Sequence, residues 1–96
     1  MEVHSVGHAE PRRESRGSTY RVHFWERPAP GYAYNLDAYV LVGAADVREA
    51  VRWAHANAYG RPLELFVEID SEPIDGELHV RSVPLVRLMG ANPTEP

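Results

Sequence analysis

The chain has 96 residues, of which 44% are hydrophobic and 25% charged, with a mean hydropathy of −0.40 and a formal net charge of −4. The length fits one domain, the composition excludes the disordered class, and no apolar run approaches the ~20 residues of a membrane-spanning helix. Cysteine is absent, which excludes disulfides, Cys-based zinc sites and a thiol nucleophile; the acidic balance argues against nucleic acid, whose binding is driven by cationic neutralisation of phosphates.

Residues 1–18, MEVHSVGHAEPRRESRGS, combine Gly, Pro, Ser and charge without a helical or strand period. They read as a disordered N-terminal tail with no hydrophobic signal stretch, which makes the cytoplasm the expected compartment. Residues 91–96 read as a flexible C-terminal tail, leaving 19–90 as a single α+β domain. All ten basic residues are arginine, which fits a coding bias.

The first predicted strand is Thr19 to Trp25, where Tyr20, Val22 and Phe24 alternate with Arg21, His23 and Trp25 at the period of two of a half-buried strand. Glu26 to Tyr32 breaks the pattern with two prolines and a glycine. The second strand is Asn35 to Val42, with Leu36, Ala38, Val40 and Val42 on one face and Asp37, Tyr39 and Leu41 on the other. It is apolar on both sides, as in a central strand or in one with a face covered by a partner.

Next comes a helix. Asp46 is its N-cap and Glu49, three residues on, completes a capping-box spacing. Val47, Ala50, Val51, Ala54 and Ala58 form its apolar stripe, and Gly60 and Pro62 end it. Small side chains let such a helix lie close to a sheet.

The third strand is Leu63 to Asp70, with Leu63, Leu65, Val67 and Ile69 on one face and Glu64, Phe66, Glu68 and Asp70 on the other. Ser71 to Gly76 is a predicted turn. The fourth strand starts near Glu77 and carries His79 and Arg81 on the outer face. Pro84 interrupts it, and Leu85 to Met89 resumes as a fifth segment. The predicted fold is a two-layer α+β sandwich, one helix on a four- to five-stranded, mostly antiparallel sheet in the order β-β-α-β-β. That order suits a ubiquitin-like β-grasp, and the ending Val86 to Gly90, VRLMG, resembles the C-terminal strand and glycine of that fold. A single Gly90 followed by six residues does not match the free Gly-Gly of its conjugating members, so no conjugation chemistry is carried over.

Catalytic signatures are weak. His4 and His8 have H-x-x-x-H spacing but sit in the tail without a third ligand. Ser71 and Ser82 lack a nucleophile-elbow context, and no phosphate loop, dinucleotide fingerprint or metal cluster stands out. The chain is therefore read as non-enzymatic, with no cofactor and no metal.

Two features point to binding. Glu64, Glu68, Asp70, Glu72, Asp75 and Glu77 form an acidic hairpin without an intervening basic residue, able to steer a cationic partner. The sheet face away from the helix is predicted to gather Arg21, His23, Trp25, Tyr39, Leu41, Phe66, His79 and Arg81, residue types that dominate interface energetics. The expectation is a small non-catalytic protein-interaction domain using that face or the acidic hairpin, with self-association as an alternative use of the face. Two other readings are a small-ligand or enzymatic pocket near His23 and His79, where acid–base pairs could form, and single-stranded nucleic acid stacking on the aromatic face.

Overall fold

A computed structural model describes residues 1–5, 9–13, 18–69, 74–77 and 84–95. Among the described residues, seven strands and one helix follow one another: β1 Glu2–Ser5, β2 Ala9–Arg13, β3 Ser18–Glu26, β4 Asn35–Ala44, α1 Val47–Ala56, β5 Leu63–Glu68, β6 Ile74–Glu77 and β7 Leu85–Gly90. Five strands form one sheet in the order β1-β4-β3-β5-β7, and β2 pairs with β6 in a second, two-stranded sheet. The helix covers one face of the larger sheet, so the fold is α+β as the sequence predicts.

The connectivity explains the helix. β4 and β5 both run antiparallel to β3 and flank it, so they are parallel to each other. Joining two parallel strands requires a crossover over one sheet face, and α1 is that crossover. Its start is set by Asp46, whose carboxylate accepts the Glu49 N–H at 3.0 Å, while Glu49 accepts the N–H of Ala45, one residue before the cap, at 3.2 Å. The N–H bond from Glu49 holds the Asp46 carboxyl below its ordinary pKa. Ala50, Ala54 and Ala58 pack on Tyr20, Val22, Phe24, Leu41 and Leu65. The alanines bring the helix close, and the sheet supplies the bulk. Val47, predicted in the stripe, is 42% exposed at the first turn.

Two irregularities set which residues face the helix. Ser18 opposes Ala44 but Tyr20 opposes Leu41, so β4 carries one extra residue beside Gly43, whose φ of +74° suits a bulge. Both Leu41 and Ala44 thereby reach the core. In β7, Met89 opposes Leu65 but Arg87 opposes Phe66, so an extra residue turns Arg87 to the face away from the helix.

The amino terminus differs from the tail reading. Glu2–Ser5 pairs antiparallel with β4, His4 opposite Val40, and Ala9–Arg13 pairs with Ile74–Glu77. In β1 the buried residue is polar, His4, while Val3 is exposed, which is why hydropathy did not reveal a strand. The predicted turn at 71–76 contains the start of β6, and the predicted strand over 78–82 lies outside the described residues. At the other end, Asn92 accepts the Thr94 N–H at 2.8 Å, forming a turn after β7. Among the described residues every pairing is antiparallel and the last strand lies at a sheet edge, so they form no central parallel pair of the kind a β-grasp requires.

Candidate functional site

The predicted sheet face assembles in part. Arg21, His23 and Trp25 project from β3 and Phe66 from β5 on the side opposite the helix, where Arg21 pairs with Phe66 and His23 with Glu64. His23 packs against Phe66 with ring centroids 4.9 Å apart and edge-on to Trp25 at 6.4 Å. Tyr39 and Leu41 do not belong to this face. They oppose Val22 and Tyr20 and therefore point at the helix, where Tyr39 packs edge-on against Phe24 and Trp53. β4 is apolar on both sides, so its sequence could not say which side met the helix; its register with β3 decides. Burial and the hydrogen bond it donates to Asp37 raise the pKa of Tyr39. His79 and Arg81 lie outside the described residues.

Of the acidic hairpin, the described side chains are Glu64 and Glu68. Glu64 and Glu68 are 2% and 6% exposed and point into the same face as Arg21 and His23. The Arg21 Nε donates to Glu68 at 3.1 Å. Glu64 accepts the Trp25 indole N–H at 2.8 Å and lies 2.9 Å from Arg87 Nη2. His23 Nδ1 is 3.8 Å from Glu64; burial outweighs that carboxylate and holds the His23 pKa below its ordinary value. Asp70 and Glu72 lie outside the described residues, and Asp75 and Glu77 contribute backbone to β6. Val40 on this side is fully buried. The face is thus a set of compensated ion pairs around small rings, with its described acids and arginines spent on each other.

A different surface retains unspent groups. At one end of the sheet, the β3–β4 loop and the turn after α1 enclose a depression of about 370 Å³ lined by Trp25, Glu26, Arg27, Tyr34, Tyr59, Gly60, Arg61 and Pro62. Its walls are fixed by backbone: Trp25 N–H donates to the Pro62 carbonyl at 2.9 Å and Arg61 N–H to that of Ala58 at 3.0 Å. The Arg61 side chain holds the turn after α1 by donating to the carbonyls of Ala58 and of the C-cap Asn57, and its guanidinium lies 4.4 Å from the Phe24 ring centroid. Arg27 lies over Tyr34 at 4.7 Å. Tyr59 adopts a left-handed φ of +50° and is 82% exposed.

Sequence reasoning missed Arg27, Tyr34, Tyr59 and Arg61. Three belong to segments read as loop or helix terminus, where periodicity carries no signal. One cue was available: a tyrosine directly before the capping glycine of a helix, a place that favours Gly or Asn.

Among the described residues, no group of three or more His, Asp or Glu could hold a metal ion, and no helix is long and apolar enough to cross a membrane. Comparison with protein families, with characterised proteins and with solved structures finds no match to this chain.

Proposed function

We propose that the chain is a non-catalytic protein-interaction module that contacts its partner through the Tyr59 end of the sheet. The observation that carries this reading is Tyr59 itself. A left-handed backbone costs an L-residue about 1–2 kcal/mol, and a side chain that is 82% exposed recovers none of it by packing. A bulky ring kept at a position that glycine would fill more cheaply is explained by contact with something outside the chain. Tyr32, in the β3–β4 loop that forms one wall of the depression, is 65% exposed and is of a residue type that anchors interfaces.

This moves the contact surface from the one the sequence pointed to. Among the described residues of the sheet face and acidic strand, little charge is left for a partner, because Arg21 pairs with Glu68 and Arg87 with Glu64. The same pairing weakens the readings that place nucleic acid or a His23-centred reaction there.

A photo-crosslinking residue at position 59, in the full chain within its native cells, tests the reading. A discrete protein adduct that is lost on Arg27→Ala is expected. Adducts removed by nuclease, or none, would overturn it.

A further inference from the structure

Charge in the depression is unevenly compensated. Its lining holds two arginines, Arg27 and Arg61, against one acid, Glu26. Arg61 Nη1 lies 3.0 Å from Asp37, which is outside the lining, and 3.7 Å from Glu26. Its Nε and Nη2 donate to the carbonyls of Ala58 and Asn57 at 2.9 and 2.8 Å. Both carboxylates therefore sit at Arg61. Among the described residues, Arg27 has no carboxylate within 4.0 Å and donates no hydrogen bond; it is held over the Tyr34 ring, 4.7 Å from the centroid.

Arg27 is unlike an ordinary exposed arginine. Arg52, on the open surface of α1, also has no carboxylate partner, but nothing orders its long side chain, and a partner would have to do so at an entropic cost. The Tyr34 contact orders Arg27 while leaving all five of its N–H groups unbonded. The concavity around it withdraws a bound anion from part of its water, so the attraction is less screened than on open surface.

The same surroundings limit the anion to one charge. A phosphate group carries about −1.5 to −2, and only one guanidinium of the lining is uncompensated; the excess would face Glu26 and Asp37. A carboxylate carries a single charge, and its two oxygens match one guanidinium fork. The Tyr34 and Tyr59 hydroxyls, without a hydrogen-bond partner among the described residues, can donate beside it. The chain as a whole is acidic, with a net charge of −4, so the contact is a local pairing rather than long-range steering. The volume of about 370 Å³ lies at the small end of ligand sites, the scale of one inserted side chain.

We propose that the depression seats a single acidic side chain, Asp or Glu, of the protein partner, with its carboxylate on the Arg27 guanidinium. This rests on the protein-interaction reading and names the chemistry of the contact.

The test is an NMR titration of the ¹⁵N-labelled full chain with an acetylated and amidated alanine–serine decamer carrying one central glutamate. Separate arms carry glutamine or phosphoserine at that place, and another uses an oligothymidylate. Saturable shifts of the Arg27 Nε–H and the Gly60 amide are expected with the glutamate peptide at millimolar concentration. Binding is expected to weaken about tenfold in Arg27→Gln and to stay unchanged in Arg52→Gln. Equal binding of the glutamine peptide, tighter binding of the phosphoserine peptide, saturation by oligothymidylate, an equal loss in both variants, or no saturable shift with the glutamate peptide would overturn the proposal. Crosslinking from position 59 reports any protein neighbour, whatever its charge. A protein adduct beside a silent titration therefore sinks only the carboxylate chemistry, whereas a positive titration without adducts sinks the protein-partner reading.

Discussion

The Trp25 indole N–H donates to the buried Glu64 carboxylate at 2.8 Å, tying the end of β3 to the start of β5. The same carboxylate receives Arg87 from β7 at 2.9 Å. One acid thus joins three neighbouring strands on the face away from the helix, and it also fixes the Trp25 ring that lines the end depression.

Replacing Glu64 by leucine removes the acceptor of a half-buried indole and the partner of Arg87. A fully buried pair broken in this way costs about 3–5 kcal/mol, but the Arg87 side chain is 41% exposed and regains water. A loss of about 2 kcal/mol is expected for Glu64→Leu, and about half that for Glu64→Gln, which keeps an acceptor for the indole. Urea midpoints measure both; a Leu variant as stable as the parent would refute the joining role.

His23 makes stability depend on pH. Burial, the largest cause, holds its folded pKa below the ordinary 6.5, against the opposing pull of Glu64. The unfolded chain therefore binds more protons between the two values, and stability rises with pH across that window. The contribution is complete above about pH 6.5 and declines as pH falls through the folded pKa. Denaturation at a series of pH values from about 7.5 to about 5 is expected to show a shallower decline in His23→Asn than in the parent chain; identical slopes would remove His23 from the account.

Tyr59→Gly separates fold from function. Relief of the left-handed backbone is offset by the greater unfolded-state freedom of glycine, leaving a net gain of about 0.5–1 kcal/mol. The variant is expected to unfold at higher denaturant concentration while losing the adduct. A destabilised variant would show that the ring supports the fold, and the argument for an external contact would fail.

Much of the fold could be read from residues whose neighbours impose one periodicity. Tyr20, Val22 and Phe24 alternate cleanly, and Asp46 with Glu49 marks the helix start, so β3 and α1 were placed within a residue or two. β4 was found but not oriented, because Tyr39 and Val40 are both acceptable inside and only the register with Val22 separates them. β1 escaped because its buried residue, on the face away from the helix, is the polar His4 while Val3 is exposed. For the site, alternation grouped Arg21, His23, Trp25 and Phe66 on one face and put Glu64 and Glu68 beside Phe66, yet it could not show that these acids pair with Arg21 and Arg87 and consume the charge of that face. The end depression is built by two loops that are distant in sequence, and nothing local to Arg27 or Tyr59 states that they meet.

Gly90 closes the sheet in a way no other residue can. It ends β7 opposite Glu64 with φ of +89°, a backbone conformation that side chains rarely adopt. A Cβ at this position would collide with the Leu63 carbonyl oxygen and approach Glu64 Cα to 2.9 Å. Both obstacles are backbone of the adjacent strand, so relief requires β7 to move away from β5. That movement would disturb the neighbouring Ala91 N–H to Leu63 carbonyl bond and the placement of Arg87 beside Glu64. Gly90→Ala is therefore expected to cost about 3 kcal/mol or more, combining backbone strain with lost strand pairing. Hydrogen exchange would show the loss concentrated in β7 and the facing edge of β5, with α1 retaining its protection at matched native conditions. A neutral Gly90→Ala would mean that β7 does not approach Leu63 this closely, and the positioning of Arg87 against Glu64 would lose its structural basis.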